Sequence, residues 1–452
     1  MKSIVIASNS SGGGKTTVTL GIMKVLQNRG FDVQGYKVGP DYIDTAFHTK
    51  ITGKSSRNLD LYLMSEDGVK ASYSRGYGDL AVVEGVMGLY DGKGTDTSYS
   101  TYHVSKILDI PIILVLSPKA QVATLCAEIN GIMNFREANI KGIILNNITE
   151  SYYNLLKTAI NENCNIKVLG YLPKDERLAL KSRHLGLIQS SEIDDLEEKI
   201  EDCAKLLEKH LDMDLLLEQF KESKKYIDNF HVVNKGKRTA VAYDRAFSFY
   251  YKENLELLEE MGEVIYFSPL VDKELPSNID FLYIGGGYPE VFIRELSKNT
   301  SMLDSIRNAL DNGLRCYAEC GGLMYLTLGE KHPEEKHLVE KLSDESQMSH
   351  NTVGFFNGYF TLTKKLQNFG YAQINVGVEN TILPESTSSI KCHEFHKSFV
   401  DLSEGQVLNL SKEMYDGNNR NWQCGYVKKN TLAVYGHVHF FGNMQWFREI
   451  FK

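Results

Sequence analysis

Short apolar runs recur along the first third of the chain, separated by intervals that are long enough for helices. The runs cover residues 4–6, 33–38, 80–83, 112–116 and 143–145. Short, continuously apolar strands are typical of a parallel sheet that helices cover on both faces. The pattern therefore predicts an α/β fold with a parallel sheet in the N-terminal part of the chain.

A charged stretch interrupts this rhythm between residues 196 and 237, where Lys and Glu residues surround amphipathic helical segments. A second series of apolar runs follows, at residues 239–242, 264–267, 281–284 and 314–318. We predict a first α/β domain over residues 1–195, a charged helical linker over residues 196–237, and a second α/β domain with its own open sheet over residues 238–452.

Composition and charge narrow the class of protein. The 452 residues are 42% hydrophobic and 24% charged, as in soluble globular proteins. The net charge of −8 is spread without a basic stripe, so we expect no nucleic acid partner. No apolar run reaches about 18 residues, and the N-terminus leaves no room for a signal peptide, so we expect a cytoplasmic protein without a membrane partner. The sequence leaves open whether two chains form a homodimer.

A glycine-rich segment, Ser-Ser-Gly-Gly-Gly-Lys-Thr-Thr at residues 10–17, lies between the first predicted strand and an apolar helix. Such a loop lets backbone N–H groups converge on phosphate oxygens, while the lysine adds a cation and the Thr16 hydroxyl can reach Mg²⁺. The motif departs from the usual phosphate loop at Asn9, and a glycine turn without nucleotide is the alternative. We predict ATP binding by Gly12, Gly13, Gly14, Lys15, Thr16 and Thr17.

Glu84 follows the apolar run 80–83 directly. This position is the carboxyl edge of the predicted sheet, where ligands of open α/β folds collect. We expect Glu84 to bind Mg²⁺ or a water of its shell. A carboxylate that caps a helix is the alternative interpretation.

Three further segments, at residues 37–44, 56–60 and 83–92, resemble the synthetase domain of cobyrinic acid a,c-diamide synthases. The resemblance covers nearly the whole chain. It implies a phosphate-loop fold like that of dethiobiotin synthetase, which activates a substrate carboxylate as an acyl phosphate for attack by ammonia. The implied partners are ATP, L-glutamine and a tetrapyrrole such as cobyrinic acid, with Mg²⁺ as cofactor.

The resemblance also implies roles for individual residues. Lys15 and Lys37 would clamp the phosphates, because phosphoryl transfer needs cations on the transferred oxygens. Arg57 is the expected carboxylate anchor, since its planar guanidinium binds bidentately, whereas Asp60 has the alternative of capping a helix. The expected magnesium ligands are Thr16, Asp41 and Glu84. The expected substrate-binding residues are Asp41, Tyr42, Asp44, His48, Arg57, Asn58 and Asp60.

Two later segments, at residues 142–147 and 169–173, resemble the parts of the family that close around the adenine. Asn146 carries both a donor and an acceptor, which suits the adenine edge. A strand-end asparagine that closes a turn is the alternative. We predict that Asn146 and Pro173 contact ATP.

The apolar run 314–318 ends in Glu-Cys-Gly-Gly, which places Cys320 in a sharp turn between a strand and a helix. In such a nucleophile elbow we expect the helix N-terminus to lower the pKa of Cys320. Backbone N–H groups of Gly321 and of Gly287, in the loop 285–290, would form the oxyanion hole. The turn resembles flavodoxin-like class I glutamine amidotransferases, which implies a thioester on Cys320 and release of ammonia.

The catalytic base is expected in the segment 435–440, after a late strand. By resemblance His437 matches the catalytic histidine, and many relatives carry a glutamate two positions later. Here His439 stands in that position, so a complete Cys-His-Glu triad is not evident in the sequence. A dyad can still act if packing or another acceptor holds the imidazole. His439 is the alternative base.

Related activities remain as alternatives. Nickel-sirohydrochlorin a,c-diamide synthase and cobyric acid synthase belong to the same superfamily, although residues 41–44, 57–60 and 437–440 look more like a,c-diamide synthases than like cobyric acid synthase. A more remote alternative is a phosphate-loop switch ATPase whose second domain only binds a partner. Cys320 and His437 argue against this alternative.

Overall fold

The computed structural model of the chain describes residues 1–178, 196–331 and 351–452. It forms two compact units, Met1–Asn229 and Phe230–Lys452. The predicted end of the first domain at residue 195 lies outside the described residues. The division after Asn229 also means that most of the predicted linker belongs to the first unit.

The first unit is an α/β sandwich built on one sheet. Its strands are β1 Lys2–Ser8, β2 Val33–Val38, β3 Arg57–Leu59, β4 Leu80–Glu84, β5 Ile112–Leu116, β6 Ile140–Ile148, β7 Val168–Pro173 and β8 Lys221–Glu222. Its helices are α1 Lys15–Asn28, α2 Ile43–Thr52, α3 Leu61–Arg75, α4 Thr101–Leu108, α5 Ala123–Phe135, α6 Glu150–Asn163, α7 Leu196–His210 and α8 Met213–Leu217, with a 3-10 turn at Glu176–Leu178.

The strand order is β3-β2-β4-β1-β5-β6-β7, and these strands pair in parallel, while β8 adds an antiparallel edge to β1. Residues 4–6 of β1 and 80–84 of β4 are buried on both faces, which explains their apolar runs. The predicted parallel sheet is therefore confirmed. In register, Lys37 and Ile6 both lie opposite Glu84, which brings the ends of β2, β4 and β1 together.

The prediction that residues 196–237 form a linker is corrected by helix α7. This helix packs against α1 and contributes to the core of the first unit. Its charged residues cover the outer face, while Cys203 and Leu207 are buried against α1. Gly21 of α1 permits the contact, since a Cβ at this position would overlap Leu207 and lie 2.7 Å from Cys203 Sγ. The charge run thus marks the solvated face of an amphipathic helix, not a domain boundary.

The second unit begins with another parallel α/β layer. Its strands are β9 Lys237–Ala242, β10 Phe247–Phe249, β11 Gly262–Phe267, β12 Phe281–Ile284, β13 Gly286–Gly287, β14 Arg315–Glu319, β15 Gly358–Val376, β16 Ile390–Leu402, β17 Gln406–Glu413, β18 Asn419–Lys428, β19 Thr431–Val434 and β20 His437–Val438. Its helices are α9 Lys252–Met261, α10 Ile293–Lys298, α11 Thr300–Asp311, α12 Gly321–Tyr325 and α13 Met444–Ile450, with a 3-10 turn at Phe440–Gly442.

The main sheet of this unit has the order β11-β9-β12-β14-β19-β18-β17-β15-β16-β20. The strands from β11 to β19 are parallel and confirm the predicted second open sheet. Strands β18, β17, β15, β16 and β20 form an antiparallel extension, which was not predicted from the sequence. Strand β20 pairs with β16, so that His437 lies opposite His393.

No helix in the described part of the chain is both long enough and apolar enough to cross a bilayer.

The close contact between α1 and α7 gives a test of the corrected boundary. Gly21→Ala should destabilise the chain by about 1–3 kcal/mol, because the added methyl group overlaps buried side chains of α7. Gly131→Ala is the matched control, since Gly131 lies within helix α5 and a Cβ there meets nothing within 4 Å. This control should stabilise the chain by about 0.5–1 kcal/mol. Urea unfolding of both variants measures the difference, and equal shifts would refute the packing of α7 on α1.

Candidate active sites

The predicted phosphate loop connects β1 to α1 and opens the helix at Lys15. Gly12 and Gly14 adopt φ values of 74° and 86°, which side chains disfavour. A Cβ at Gly13 would overlap the Ser8 hydroxyl. The three glycines therefore allow a tight loop whose N–H groups gather at the positive end of α1, followed by Lys15, Thr16 and Thr17.

The ammonium group of Lys15 is held beside this loop. Its Nζ donates to the carbonyl oxygens of Ser10 at 3.0 Å and Met87 at 2.6 Å. Burial, followed by the neighbouring charge of Lys37, lowers the pKa of Lys15 to about 8. A phosphate group that approaches the loop would relieve this repulsion and stabilise the cation.

Glu84 is the centre of a buried polar cluster. Its Oε1 atom accepts hydrogen bonds from the hydroxyl of Thr16 at 2.6 Å and from Nζ of Lys37 at 2.9 Å, and its Oε2 atom lies 2.7 Å from Nε2 of His48. Burial acts to raise the pKa of Glu84, but the Lys37 charge and the contacts with His48 and Thr16 outweigh it and lower the pKa. All three contacts are made by side chains, and the Thr16 hydroxyl belongs to the first turn of α1, so Glu84 contacts a helix start without accepting its backbone N–H groups as a capping carboxylate would.

Lys37 also contacts Asp44, whose Oδ2 atom lies 2.5 Å from Nζ. One cation thus serves two buried carboxylates. Burial and the charges of Asp41 and Glu84 raise the pKa of Asp44 despite the opposing effect of Lys37. Of the two carboxyl groups on Lys37, Glu84 is therefore the more strongly acidic and Asp44 the one that more readily holds a proton.

Three predicted substrate ligands bind the chain itself instead. Asn58 donates through Nδ2 to the carbonyl oxygens of Gly39 at 2.8 Å and Asp41 at 2.9 Å. Asp60 caps α3, because its Oδ1 atom accepts from the N–H groups of residues 62 and 63. His48 is fully buried between Glu84 and Ser56. Their predicted contact with the tetrapyrrole finds no support in this geometry, and the helix-cap alternative for Asp60 is confirmed.

The remaining predicted substrate ligands surround the first turn of α2. Asp41 accepts from the N–H groups of Ile43 and Asp44, both at 2.8 Å, through one carboxylate oxygen. Tyr42 is the residue that precedes the helix. Arg57 lies on the adjacent strand β3 and is buried. These residues share the sheet edge that carries Lys37 and Glu84.

The two predicted adenine contacts lie on neighbouring strands. Asn146 on β6 donates through Nδ2 to Ser117 Oγ at 2.9 Å and to the carbonyl of Gly13 at 3.4 Å. A Cβ at Gly14 would overlap the same amide. Asn146 therefore supports the phosphate loop, and its contact with the adenine edge stays a prediction. Pro173 ends β7 and is partly exposed.

In the second unit, Cys320 lies in a strained turn between β14 and α12, with φ 50° and ψ −104°. This backbone geometry is that of a nucleophile elbow. The following glycines fit closely against the loop after β12. A Cβ at Gly321 would lie 2.8 Å from Pro289 Cδ, and one at Gly322 would overlap the carbonyl of Ile284.

The two predicted oxyanion donors lie side by side. A Cβ built on Gly321 would lie 3.2 Å from the backbone nitrogen of Gly287. The two residues are therefore close neighbours, as two donors of one oxyanion hole must be. Only glycine leaves that space open.

The resting state of the thiol differs from the prediction. Burial raises the pKa of Cys320 well above its ordinary value, the charge of Glu290 raises it further, and the N–H of Gly321 opposes the shift only weakly. The predicted lowering of the pKa by the helix is wrong for this state, because α12 has only five residues and the thiol is enclosed. Attack therefore requires a base that removes the proton as the thiol reacts.

The two histidines that were predicted as alternative bases have different surroundings. A Cβ at Gly286 would overlap Cε1 of His437 and lie 3.3 Å from Nε2, so the ring of His437 faces the glycine loop beside Gly321. The ring of His439 instead stacks near Tyr251, at 4.6 Å between centroids, and its Nε2 lies 3.4 Å from a carboxylate oxygen of Glu253. The geometry favours His437 over His439.

Sequence reasoning missed two groups that contact His437. Glu319 places Oε2 at 3.6 Å from Nδ1 of His437, and His393 stacks on the ring at 5.0 Å between centroids. Glu319 was visible as the residue before the nucleophile, but the linear sequence does not show that its strand points the side chain towards His437. His393 comes from the antiparallel extension, which was not predicted.

The shifted pKa of Lys15 gives a prediction for nucleotide binding. With a pKa of about 8, Lys15 is largely charged at pH 7 and largely neutral at pH 9 in the nucleotide-free chain. Because phosphate binds the charged form, the affinity for ATP should fall by about 10-fold over this range. Calorimetric titrations at both pH values measure it. A Lys15→Arg variant that still binds ATP should show little change with pH, and a flat wild-type profile would contradict the assignment.

Comparison with known proteins finds a family model in each half of the chain. Residues 4–188 match the model of the CobQ/CobB/MinD/ParA nucleotide binding domain, and residues 238–445 match the CobB/CobQ-like glutamine amidotransferase domain. These matches confirm the predicted fold class, a phosphate-loop domain followed by a class I glutamine amidotransferase domain.

Curated relatives extend over the whole chain. Cobyrinate a,c-diamide synthase of Clostridium tetani is 64% identical, and that of Clostridium acetobutylicum is 59% identical, each with 100% of both chains covered. The enzyme of the same name from Listeria innocua is 43% identical over 98% of this chain and 97% of its own. The chain therefore belongs to the cobyrinate a,c-diamide synthase family.

Proposed function

We propose that this chain converts the a and c carboxylates of cobyrinic acid into carboxamides in cobalamin biosynthesis, with ATP and L-glutamine as co-substrates. The observation that carries the proposal is the presence of two chemistries in one chain, a phosphate loop beside buried Lys37 and Glu84 and a strained elbow at Cys320. The full-length similarity to enzymes named cobyrinate a,c-diamide synthase supplies the substrate. The chain is a carbon-nitrogen ligase with glutamine as amido donor.

Ammonia is produced in the second unit. The thiol of Cys320 attacks the side-chain carbonyl of glutamine while His437 takes the thiol proton. Negative charge on the carbonyl oxygen is stabilised by the N–H groups of Gly321 and Gly287. His437 then returns the proton to the leaving nitrogen, ammonia departs, and water hydrolyses the thioester to glutamate.

Ammonia is consumed in the first unit. A carboxylate of the substrate attacks the γ-phosphorus of ATP, which gives an acyl phosphate and ADP. Ammonia then attacks the acyl carbon and displaces phosphate, so that each amide consumes one ATP. Lys15 and Lys37 carry the positive charge that this transfer needs, while the loop N–H groups hold the phosphates in place.

Magnesium fits the groups at this edge of the sheet. The Thr16 hydroxyl and the Glu84 carboxylate are oxygen ligands 2.6 Å apart, and Mg²⁺ in nucleotide sites takes few ligands from the protein beside phosphate and water. Thr16 and Glu84 would hold the ion, with Asp41 as the third candidate. When bound, Mg²⁺ neutralises phosphate charge.

The carboxylates of the macrocycle would bind where α2 begins. Arg57 is the candidate anchor because of its guanidinium group, and Asp41, Tyr42 and Asp44 lie at the same edge. Asp44 contacts Lys37, while burial and the charges of Asp41 and Glu84 raise the pKa of its carboxyl group.

The substrate is tested by the masses of the products. Incubation with ATP, Mg²⁺, L-glutamine and cobyrinic acid should give two successive losses of about 1 Da, one for each carboxylate that becomes an amide. Liquid chromatography with mass spectrometry follows both steps. Nickel-sirohydrochlorin, offered in a parallel incubation, is the control substrate. Reaction of this compound alone would assign the chain to a different tetrapyrrole pathway.

The division of labour between the units is tested with two variants. Cys320→Ala should lower glutamine-dependent amidation by about 10⁴-fold or more, yet keep amidation driven by high ammonium chloride. Lys15→Ala should abolish both reactions, because neither proceeds without the acyl phosphate. Glutamine-dependent amidation by Cys320→Ala at the wild-type rate would exclude this cysteine as the nucleophile.

A further inference from the structure

His437 needs a partner that fixes its ring, and His439 does not provide one. His439 is fully buried beside Glu253 and Tyr251, and its Nδ1 atom accepts a hydrogen bond from the N–H of Phe441 at 3.3 Å. It is therefore part of the packing around the final 3-10 turn. The position two residues after His437 holds no carboxylate in this chain.

A carboxylate reaches His437 from another part of the fold. Glu319 is the last residue of β14, directly before Cys320, and only 1% of its surface is exposed. Its Oε2 atom lies 3.6 Å from Nδ1 of His437. Catalytic hydrogen bonds are often long in substrate-free structures and shorten when the substrate binds.

The orientation of this carboxylate is set by three donors. The hydroxyl of Tyr317 donates to Oε1 at 2.8 Å, and the backbone N–H of Val438 donates to the same atom at 3.2 Å. The hydroxyl of Tyr283 donates to Oε2 at 3.1 Å. Strands β12, β14 and β20 thus hold Glu319 in one position, which limits the entropy lost when it binds an imidazole.

The remaining neighbours of His437 are His393 and the glycine loop. His393 stacks on one side of the His437 ring. The Nδ1 atom of His393 lies 3.3 Å from the hydroxyl of Tyr251. Burial and the neighbouring His437 lower the pKa of His393, so its ring stays neutral. Nε2 and Cε1 of His437 face Gly286, in the loop that also contains the oxyanion donor Gly287. Nδ1 thus lies towards Glu319, and Nε2 lies towards the glycine loop.

We propose that Glu319 is the positioning residue for His437 and takes the place of the triad carboxylate that the sequence lacks two positions after the histidine. Its Oε2 atom accepts the Nδ1 proton, so that Nε2 is free of hydrogen and can take the proton of Cys320. When sulfur bonds to the glutamine carbon, His437 becomes an imidazolium beside the carboxyl group of Glu319. The imidazolium then donates its Nε2 proton to the leaving ammonia.

This arrangement rests on the proposed glutaminase reaction, but it is independent of the tetrapyrrole substrate. In other triads, exchanging the carboxylate for an amide leaves the fold intact and favours the wrong tautomer of the histidine. Glu319→Gln should therefore lower kcat for glutamine hydrolysis by about 100-fold to 10,000-fold and change KM for glutamine by less than about 3-fold. Ammonium-driven amidation should remain at the wild-type rate.

The matched control is Glu253→Gln, which changes an equally buried carboxylate that faces the other histidine. Its kcat should stay within about 3-fold of the wild type. Glu319→Asp keeps the charge and should lie between the wild type and Glu319→Gln. If Glu319→Gln does not fold, Tyr283→Phe removes a donor to the same Oε2 atom and should lower kcat by about 10-fold at constant KM.

All rates are measured with ATP, Mg²⁺ and cobyrinic acid present, with glutamate formation as the readout. A kcat for folded Glu319→Gln within about 3-fold of the wild type overturns the proposal, as does an equal loss in Glu253→Gln or a parallel loss of ammonium-driven amidation. If only Tyr283→Phe folds, an unchanged kcat overturns it. A wild-type chain without glutaminase activity would instead refute the proposed function.

Discussion

Both candidate sites depend on a carboxylate that is buried at the end of a parallel strand. Removing an ion of this kind from water carries an effective penalty of several kcal/mol, which partners must offset. At Glu84, at the end of β4, contacts with Lys37, Thr16 and His48 offset this penalty. At Glu319, at the end of β14, two tyrosine hydroxyls and a backbone N–H do so. Glu84 has a lysine among its partners, whereas the named partners of Glu319 are uncharged. A cation suits the first site because that site would also bind phosphate.

Glycines bring the reacting groups close together in both units. In the first unit they fold the phosphate loop over the start of α1, where Lys15 is placed between the loop and the end of β4. In the second unit Gly286 admits the ring of His437, and Gly321 admits the backbone of Gly287. Any side chain at these positions would occupy the space that the reacting atoms need. The backbone thus contributes to each site as directly as the ionisable residues do.

The sequence was informative wherever local pattern and local function coincide. Buried parallel strands are largely apolar, so five of the seven parallel strands of the first unit were visible as apolar runs, while β3 and β7 were not. The glycine turns around Lys15 and Cys320 occur directly after such strands. Side-chain direction was harder to predict. Asn58 and Asp60 stand beside Arg57 in the sequence, yet they bind backbone groups, and Glu319 reaches a histidine that follows 118 residues later. Long-range contacts of this kind leave no periodic signal. Helix α7 was misassigned for a related reason, because its charges were more conspicuous than its apolar face.

The enclosed, protonated thiol of Cys320 also bears on the durability of the enzyme. Oxidants and alkylating agents react with thiolates far faster than with thiols, and sulfinic and sulfonic acids formed from a cysteine are essentially irreversible. Burial raises the pKa of Cys320, and its surface is 5% exposed, so the resting nucleophile offers little thiolate to peroxide. In the proposed reaction, the thiol would become reactive only during turnover, when bound glutamine would cover it. The same burial that makes a base necessary thus protects the cysteine from oxidative loss between reaction cycles.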